Sequence, residues 1–138
     1  MIEVRPATLD DATEFIRLNA AFNEVTLSME QAAKNLREAK DRVLLAMVDG
    51  QVAGFACVLI IQLACYGEPS AEVTELYVEP SFRRQGVAKT LMQHAEALAR
   101  ASGAGEITIC TGWDNMAGQQ LYHGLGYKND DVKLVKSL

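Results

Sequence analysis

The apolar spacing changes twice between Ala71 and Thr111, and few folds accommodate the change. "AEVTELYV" (Ala71 to Val78) reads as a strand closed by Pro80. From Val87 the apolar residues recur at Leu91, Ala95, Leu98 and Ala99, the stripe of a helix buried on one face. Gly103 suits the left-handed position that ends such a helix, and "EITICTGW" follows as another strand. Two strands joined through a helix lie parallel, with a right-handed crossover between them. Upstream, "RVLLAMV" and "QVAGFACVLIIQL" flank Asp49-Gly50, a pair that tolerates the positive φ of a tight antiparallel hairpin. Gly54 is a candidate bulge position in the second of these strands. The sheet is therefore expected to be mixed.

The remaining elements complete one domain. An opening strand "IEVRP" precedes Thr8, Asp10 and Asp11, which mark a helix start, and Leu9, Ala12, Phe15 and Ile16 give that helix an apolar stripe ending near Phe22. Ser28 with Gln31 marks a second helix, polar enough through Leu36 and Ala39 to lie on the surface. A last helix is expected from about Ala117 to Leu125, stopped by Gly126, with a final strand near "VKLVKSL". The order is β-α-α-β-β-β-α-β-α-β. With 138 residues, 49% of them hydrophobic, and no repeat or linker, a single domain over residues 1–138 is expected.

Composition narrows the partners. A formal net charge of −5 argues against a protein that neutralises a nucleic-acid backbone. The longest apolar run, Val52 to Tyr66, falls short of the ~20 residues that span a bilayer, and no signal segment precedes the first amphipathic stretch. A soluble, cytoplasmic protein without a membrane partner is the expectation. Cys57, Cys65 and Cys110 sit in apolar, strand-like runs, so they read as small buried side chains rather than a disulfide framework. No metal-ligand cluster is present and His94 has no ligand partner, while His123, beside Tyr122 but about 100° round the helix from it, reads as a surface residue rather than a proton relay.

One helix start breaks the usual charge rule. "EPSFRRQGVAKTLM" (Glu79 to Met92) opens a helix with Arg83, Arg84 and Lys89, although a helix N-terminus carries partial positive charge and four unpaired N–H donors. Cations there imply a missing anion. The ending "GVAKT" looks like a nucleotide-binding loop, but in register with Lys89 and Thr90 the two required glycines are Arg83 and Ala88. A dinucleotide G-x-G-x-x-G is absent as well. What survives is a turn with one glycine, Gly86, followed by small Ala88, in which the N–H groups from Arg84 through Gln85, Gly86, Val87 and Ala88 to Lys89 can cradle a pyrophosphate. A solvated basic face capped by Ser81 is the structural alternative.

The wider stretch "VTELYVEPSFRRQGVAKTLM" resembles the central motif of the GNAT superfamily of acetyltransferases, a strand running into R/Q-x-x-G-x-G/A and a helix; here it reads Arg83-x-x-Gly86-x-Ala88. A second family motif, N-x-x-A-x-x-x-Y-x-x-x-G-F, is approximated by Asn115, Gly118, Tyr122, Gly126 and Tyr127. Gly118 replaces the usual alanine, with the expectation of a looser last helix, and Tyr127 replaces phenylalanine. The resemblance implies a central, mixed, largely antiparallel sheet flanked by helices, with a parallel strand pair that splays apart. It implies that the anion is the pyrophosphate of acetyl-CoA, held by the turn. The pantetheine arm would then lie along Leu76, Tyr77 and Val78, with Asn115 and Tyr122 also on the cofactor side. A homodimer would be family-like.

Acetyl transfer to an amine needs three roles filled: a proton acceptor for the amine, a donor for the oxyanion, and a proton for the leaving thiolate. Tyr122 occupies the family's general-acid position, and a phenol with a pKa of ~10 can protonate a thiolate in a dry site. The Val78 backbone N–H is the family-like oxyanion donor. Glu75 interrupts an apolar strand, where burial would raise its pKa, and is the leading base; Glu72 and ordered water are alternatives. Phe22, Asn23, Glu24 and Tyr66 fall in loops that flank the acceptor cleft in such folds, where Glu24 and Tyr66 could select a cation. Cys110 lacks an adjacent base and reads as core. The expected function is N-acetylation of an amine on a small molecule or a protein. A catalytically idle acyl-CoA-binding sensor is the runner-up, disfavoured by Tyr122, and a purely structural domain is disfavoured by Gly86 and its cations.

Overall fold

The computed structural model describes residues 1–138 as a five-stranded sheet in the order β1-β2-β3-β4-β5. β1 (Ile2–Pro6) is followed by a 3-10 turn (Leu9–Asp11), α1 (Ala12–Asn23) and α2 (Met29–Glu38), then by β2 (Arg42–Val48), β3 (Gln51–Ile61) and β4 (Ser70–Val78). A second 3-10 turn (Pro80–Phe82) leads to α3 (Val87–Ala101), β5 (Ile107–Ile109) and α4 (Met116–Gly124). β1 through β4 pair antiparallel, while β4 and β5 pair parallel. The fold is the mixed α+β class that the spacing implied.

Each face of the sheet buries its own stripe. On one face Val87, Leu91, Met92 and Ala95 of α3, with Tyr122 of α4, pack against Leu44, Ala46, Ala56, Val58, Val73 and Val78. On the other, Phe15 and Leu18 of α1 pack against Leu45, Phe55 and Cys57. Full burial of a large apolar side chain stabilises by about 1.5–3 kcal/mol, so both helices are held mainly by these stripes. The second helix starts as expected, with the Ser28 hydroxyl accepting from the Gln31 N–H at 3.1 Å. The β2–β3 hairpin turns at Asp49 (φ 49°) and Gly50 (φ 82°). Gly54 flanks a bulge opposite Ala46 and Met47, and a Cβ on it would collide with the Tyr77 carbonyl oxygen.

Three expectations are corrected. No strand forms at Val132–Leu138, because a strand needs an edge to pair with and this segment reaches none. The strand expected from Glu106 to Trp113 is confined to Ile107–Ile109, the only stretch with a neighbour in β4. Cys57 is buried, but Cys65 and Cys110 are exposed, since the first lies in the β3–β4 connection and the second just past the end of β5. No helix is long and apolar enough to cross a membrane.

Candidate active site

The parallel pair explains where an opening can exist. β5 contacts β4 only through Ala71↔Ile107, Glu72↔Thr108 and Val73↔Ile109, whereas β4 continues to Val78 with β3 beside it throughout. Beyond Val73, the β5 side of β4 has no strand partner. The Glu79 N–H donates to the Ala53 carbonyl at 2.8 Å, so by alternation along the strand the Val78 N–H points the other way, toward that open side. A bulge in β4 sets which side chains face which core: Cys57 lies opposite Glu75 and Val58 opposite Val73, leaving Thr74 as the extra residue. Leu76 and Val78 therefore join Val73 on the α3 face, while Glu75 and Tyr77 turn toward α1. The apolar order Ala71, Val73, Leu76, Val78 already carries the signal, a step of three between steps of two.

The turn after β4 arrives at the open side with its donors unspent. Arg84 (φ 62°) and Gly86 (φ 86°) both adopt left-handed backbone, which aims successive N–H groups in one direction. None of the six backbone N–H groups from Arg84 to Lys89 has an acceptor within the chain; the next, Thr90, donates to Gly86 O at 3.0 Å. The Thr90 hydroxyl also bonds Gly86 O, at 2.8 Å, and the Gln85 side chain donates to Ser81 O at 3.2 Å, so the turn is braced from behind. Arg84 and Lys89 are exposed and form no ion pair. A Cβ on Gly86 would approach nothing closer than Ile2 Cδ1 at 4.0 Å, so packing does not demand glycine there; the positive φ favours it. This donor set fits a diphosphate group.

Arg83 is placed differently from its two neighbours. Its Nε donates to Val78 O at 2.9 Å and its guanidinium lies 5.8 Å from the Tyr77 ring centroid. Tyr77 stacks in turn on Phe22 at 5.2 Å. This column ties the anion turn to the end of α1, a bracing role that sequence reasoning missed because it joins residues 61 positions apart.

Tyr122 has a buried ring, at 8% exposure, set edge-on to Tyr127 at 6.2 Å. Burial pushes its phenol pKa up. Its hydroxyl bonds no protein group, yet is not among the fully enclosed polar atoms; the Tyr127 hydroxyl is enclosed and unpartnered. Asn115 caps α4, accepting from the Gly118 N–H at 3.0 Å and donating to the Thr111 hydroxyl at 2.9 Å. A Cβ at position 118 would strike the Asn115 side chain, so Gly118 secures the cap rather than loosening the helix.

Glu75 is partly buried and accepts from Asn23 Nδ2 at 3.4 Å, which brings the end of α1 onto β4. Glu72 is partly buried at the paired end of the same strand. Glu24 is exposed in left-handed backbone (φ 57°) at the end of α1. Tyr66 lines a separate hollow with Leu63, Glu68, Ser70 and Glu106, at the opposite end of β4 from Gly86. His94 and His123 are exposed, and no group of side chains is arranged for a metal. Burial pushes the Cys57 thiol pKa up, leaving it protonated in the core.

Comparison with known proteins agrees with this geometry. The model of the acetyltransferase (GNAT) family matches residues 9–127. An uncharacterised N-acetyltransferase of Chlorobaculum tepidum is 28% identical over 108 residues, 78% of this chain and 66% of that protein, so the chain spans about two thirds of that relative's length. An aminoglycoside N(6′)-acetyltransferase type 1 of Salmonella typhimurium is 30% identical over 63% of this chain and 62% of its own. Among solved structures, a ribosomal-protein-alanine N-acetyltransferase of Brucella melitensis biovar Abortus superposes with a TM-score of 0.87 at 22% identity, covering 99% of both chains. An aminoglycoside N-acetyltransferase in complex with CoA gives 0.85 at 21% identity, covering 100% of this chain and 95% of its own. With a family model that matches most of its length, the chain belongs to the GNAT family of acetyl-CoA-dependent acetyltransferases.

Proposed function

We propose that the chain transfers the acetyl group of acetyl-CoA to a primary amine on a cationic small molecule, by direct attack of the amine on the thioester. The observation that carries this reading is the row of six acceptor-free N–H groups, Arg84 to Lys89, beside the unpaired edge of β4. The turn, with Arg84 and Lys89, holds the pyrophosphate, and the main chain of Leu76 to Val78 receives the pantetheine arm. The Val78 N–H stabilises negative charge on the thioester oxygen. Glu75, directly or through water, takes the proton the amine loses as the N–C bond forms. Tyr122 gives its proton to the sulfur as the C–S bond breaks; its raised pKa keeps that proton in place at neutral pH.

Three features support a cationic acceptor: the net charge of −5, the carboxylates of Glu72 and Glu75 on one strand, and the aminoglycoside acetyltransferases among the relatives. Thiol release from acetyl-CoA, measured across aminoglycosides, polyamines and alanine-terminated peptides, tests the acceptor class; turnover with peptides alone would overturn it. With a working acceptor, Tyr122→Phe keeps the packed ring and removes the proton, so kcat should fall ~10²- to 10⁴-fold at nearly constant acetyl-CoA affinity. A drop below about threefold would assign thiolate protonation to water or another group.

A further inference from the structure

Arg83 opens the basic turn in sequence but stands apart from it in space. Its backbone N–H is spent on Pro80 O at 3.4 Å, so the row of acceptor-free donors begins one residue later, at Arg84. Its side chain runs back to the strand the chain has just left, where Nε donates to Val78 O at 2.9 Å in a part-buried bond. The 3-10 turn Pro80–Phe82 allows this return by reversing the chain between the two residues. Arg83 forms no ion pair, and its guanidinium lies 5.8 Å from the Tyr77 ring centroid, within the range of a cation–π contact.

The carbonyl that Arg83 holds is the last one of β4. In an antiparallel ladder the N–H and C=O of one residue point to the same side, so Val78 O lies at the unpaired edge of the strand, beside the Val78 N–H. The Val78–Glu79 peptide is gripped from both sides: its N–H donates to Ala53 O of β3 at 2.8 Å, and its oxygen accepts from Arg83. β5 gives no support here, because its pairing stops at Val73. Arg83 takes the place of the missing neighbour.

We propose that Arg83 is a positioning residue for acetyl transfer, fixing the last peptide of β4 through Val78 O and with it the direction of the Val78 N–H, and that it is not a ligand of the pyrophosphate. The inference rests on the proposed role of that N–H at the thioester oxygen. An oxyanion donor acts through a direction fixed before the reaction, and a small displacement of it costs more in turnover than in cofactor binding.

Two substitutions separate the roles. Gln carries an N–H donor as many bonds from the main chain as Arg Nε but no charge, whereas Lys keeps the charge and has a methylene at that place. Arg83 is exposed and outside both cores, so both variants should fold. With a working acceptor, Arg83→Lys should lower kcat ~10- to 10²-fold while the CoA Kd, by calorimetry, stays within about threefold of wild type. Arg83→Gln should recover most of that kcat at the same affinity. A phosphate ligand gives the reverse order, with CoA affinity lost in Arg83→Gln and kept in Arg83→Lys, and that result overturns the proposal. So does a kcat unchanged in Arg83→Lys, or one equally low in both variants.

The Val78 amide proton resonance gives a reading that needs no acceptor. It should differ between the CoA and acetyl-CoA complexes in wild type and in Arg83→Gln, and differ less in Arg83→Lys. An undiminished difference in Arg83→Lys overturns the positioning role alone. No difference in wild type removes the Val78 N–H from the proposed function and leaves Arg83 nothing to position.

Discussion

The chain contains two helix starts of opposite design. Before α1, the Asp11 carboxylate accepts from the Thr8 N–H at 2.7 Å and from both terminal nitrogens of Arg5, at 2.8 and 2.9 Å. Its residue is 8% exposed, and the Arg5 guanidinium holds the carboxyl pKa down at about 2. Before α3, no acid enters the first turn, glycine stands at the cap, and the donors from Arg84 to Lys89 go unanswered. Both starts face the same electrostatic demand, an anion at the positive end of a helix. One answers it with its own side chain and gains stability; the other leaves it unanswered within the chain. A helix start closed from within belongs to the scaffold, whereas under the proposed function the open one holds the cofactor's pyrophosphate.

That contrast can be broken from either side. The largest effect is expected at Gly86→Val, where a branched side chain meets a backbone at φ 86° and covers the donors. By isothermal calorimetry, CoA affinity should fall roughly 10²-fold, since hydrogen bonds to charged groups are each worth ~1.5–3 kcal/mol. Backbone strain limits the stability loss to about 1–3 kcal/mol. A lower melting temperature with normal CoA affinity would make Gly86 a packing residue.

Asp11→Asn is the mirror experiment. It should cost about 1–3 kcal/mol in urea unfolding and leave CoA affinity alone, because it uncouples Arg5 and Thr8 without touching the turn. The pH dependence follows from the depressed pKa. The carboxylate contributes its full stability above the unfolded value near ~4, and that contribution disappears as pH falls toward about 2. The wild-type protein should therefore lose more stability than Asp11→Asn between pH 4 and pH 2, and parallel acid limbs would remove Asp11 from the account.

Lys89→Glu sharpens the comparison with the smallest change in stability, by making the open start resemble the closed one. An acid in the first turn should stabilise the free protein by ~0.3–1 kcal/mol, while CoA affinity falls several-fold. Opposite signs for melting temperature and affinity are the expected result. Loss of both would mean that Lys89 supports the fold.

Much of this was legible in the sequence because it is written in spacing and charge. The helical stripe from Val87, the Asp49-Gly50 turn and the cations around Gly86 each express a local requirement that holds wherever the element packs. The failures share a different cause. "VKLVKSL" has strand composition, but strand composition states no partner, and the segment pairs with no edge of the sheet. Cys65 and Cys110 sit in apolar runs that outlast the strands, so composition overstated their burial. The tie of Arg83 to Val78 and Tyr77 depends on the path of β4 relative to α1, which no local pattern encodes. The Glu75 carboxylate was expected to be enclosed by its apolar neighbours, yet the bulge at Thr74 turns it toward the exposed end of α1, where Asn23 reaches it.

Trp113 gives the molecule an optical handle. It is the only tryptophan of the chain, and its indole stands in water on the loop between β5 and α4. An indole this exposed should emit as a solvated one and change little on denaturation, so tryptophan fluorescence is expected to be a poor monitor of unfolding for this protein. The same emission shifts to the blue, and becomes less accessible to iodide, when a surface covers that loop. A single unlabelled chromophore thus reports on one small patch of the surface, independently of what the core is doing.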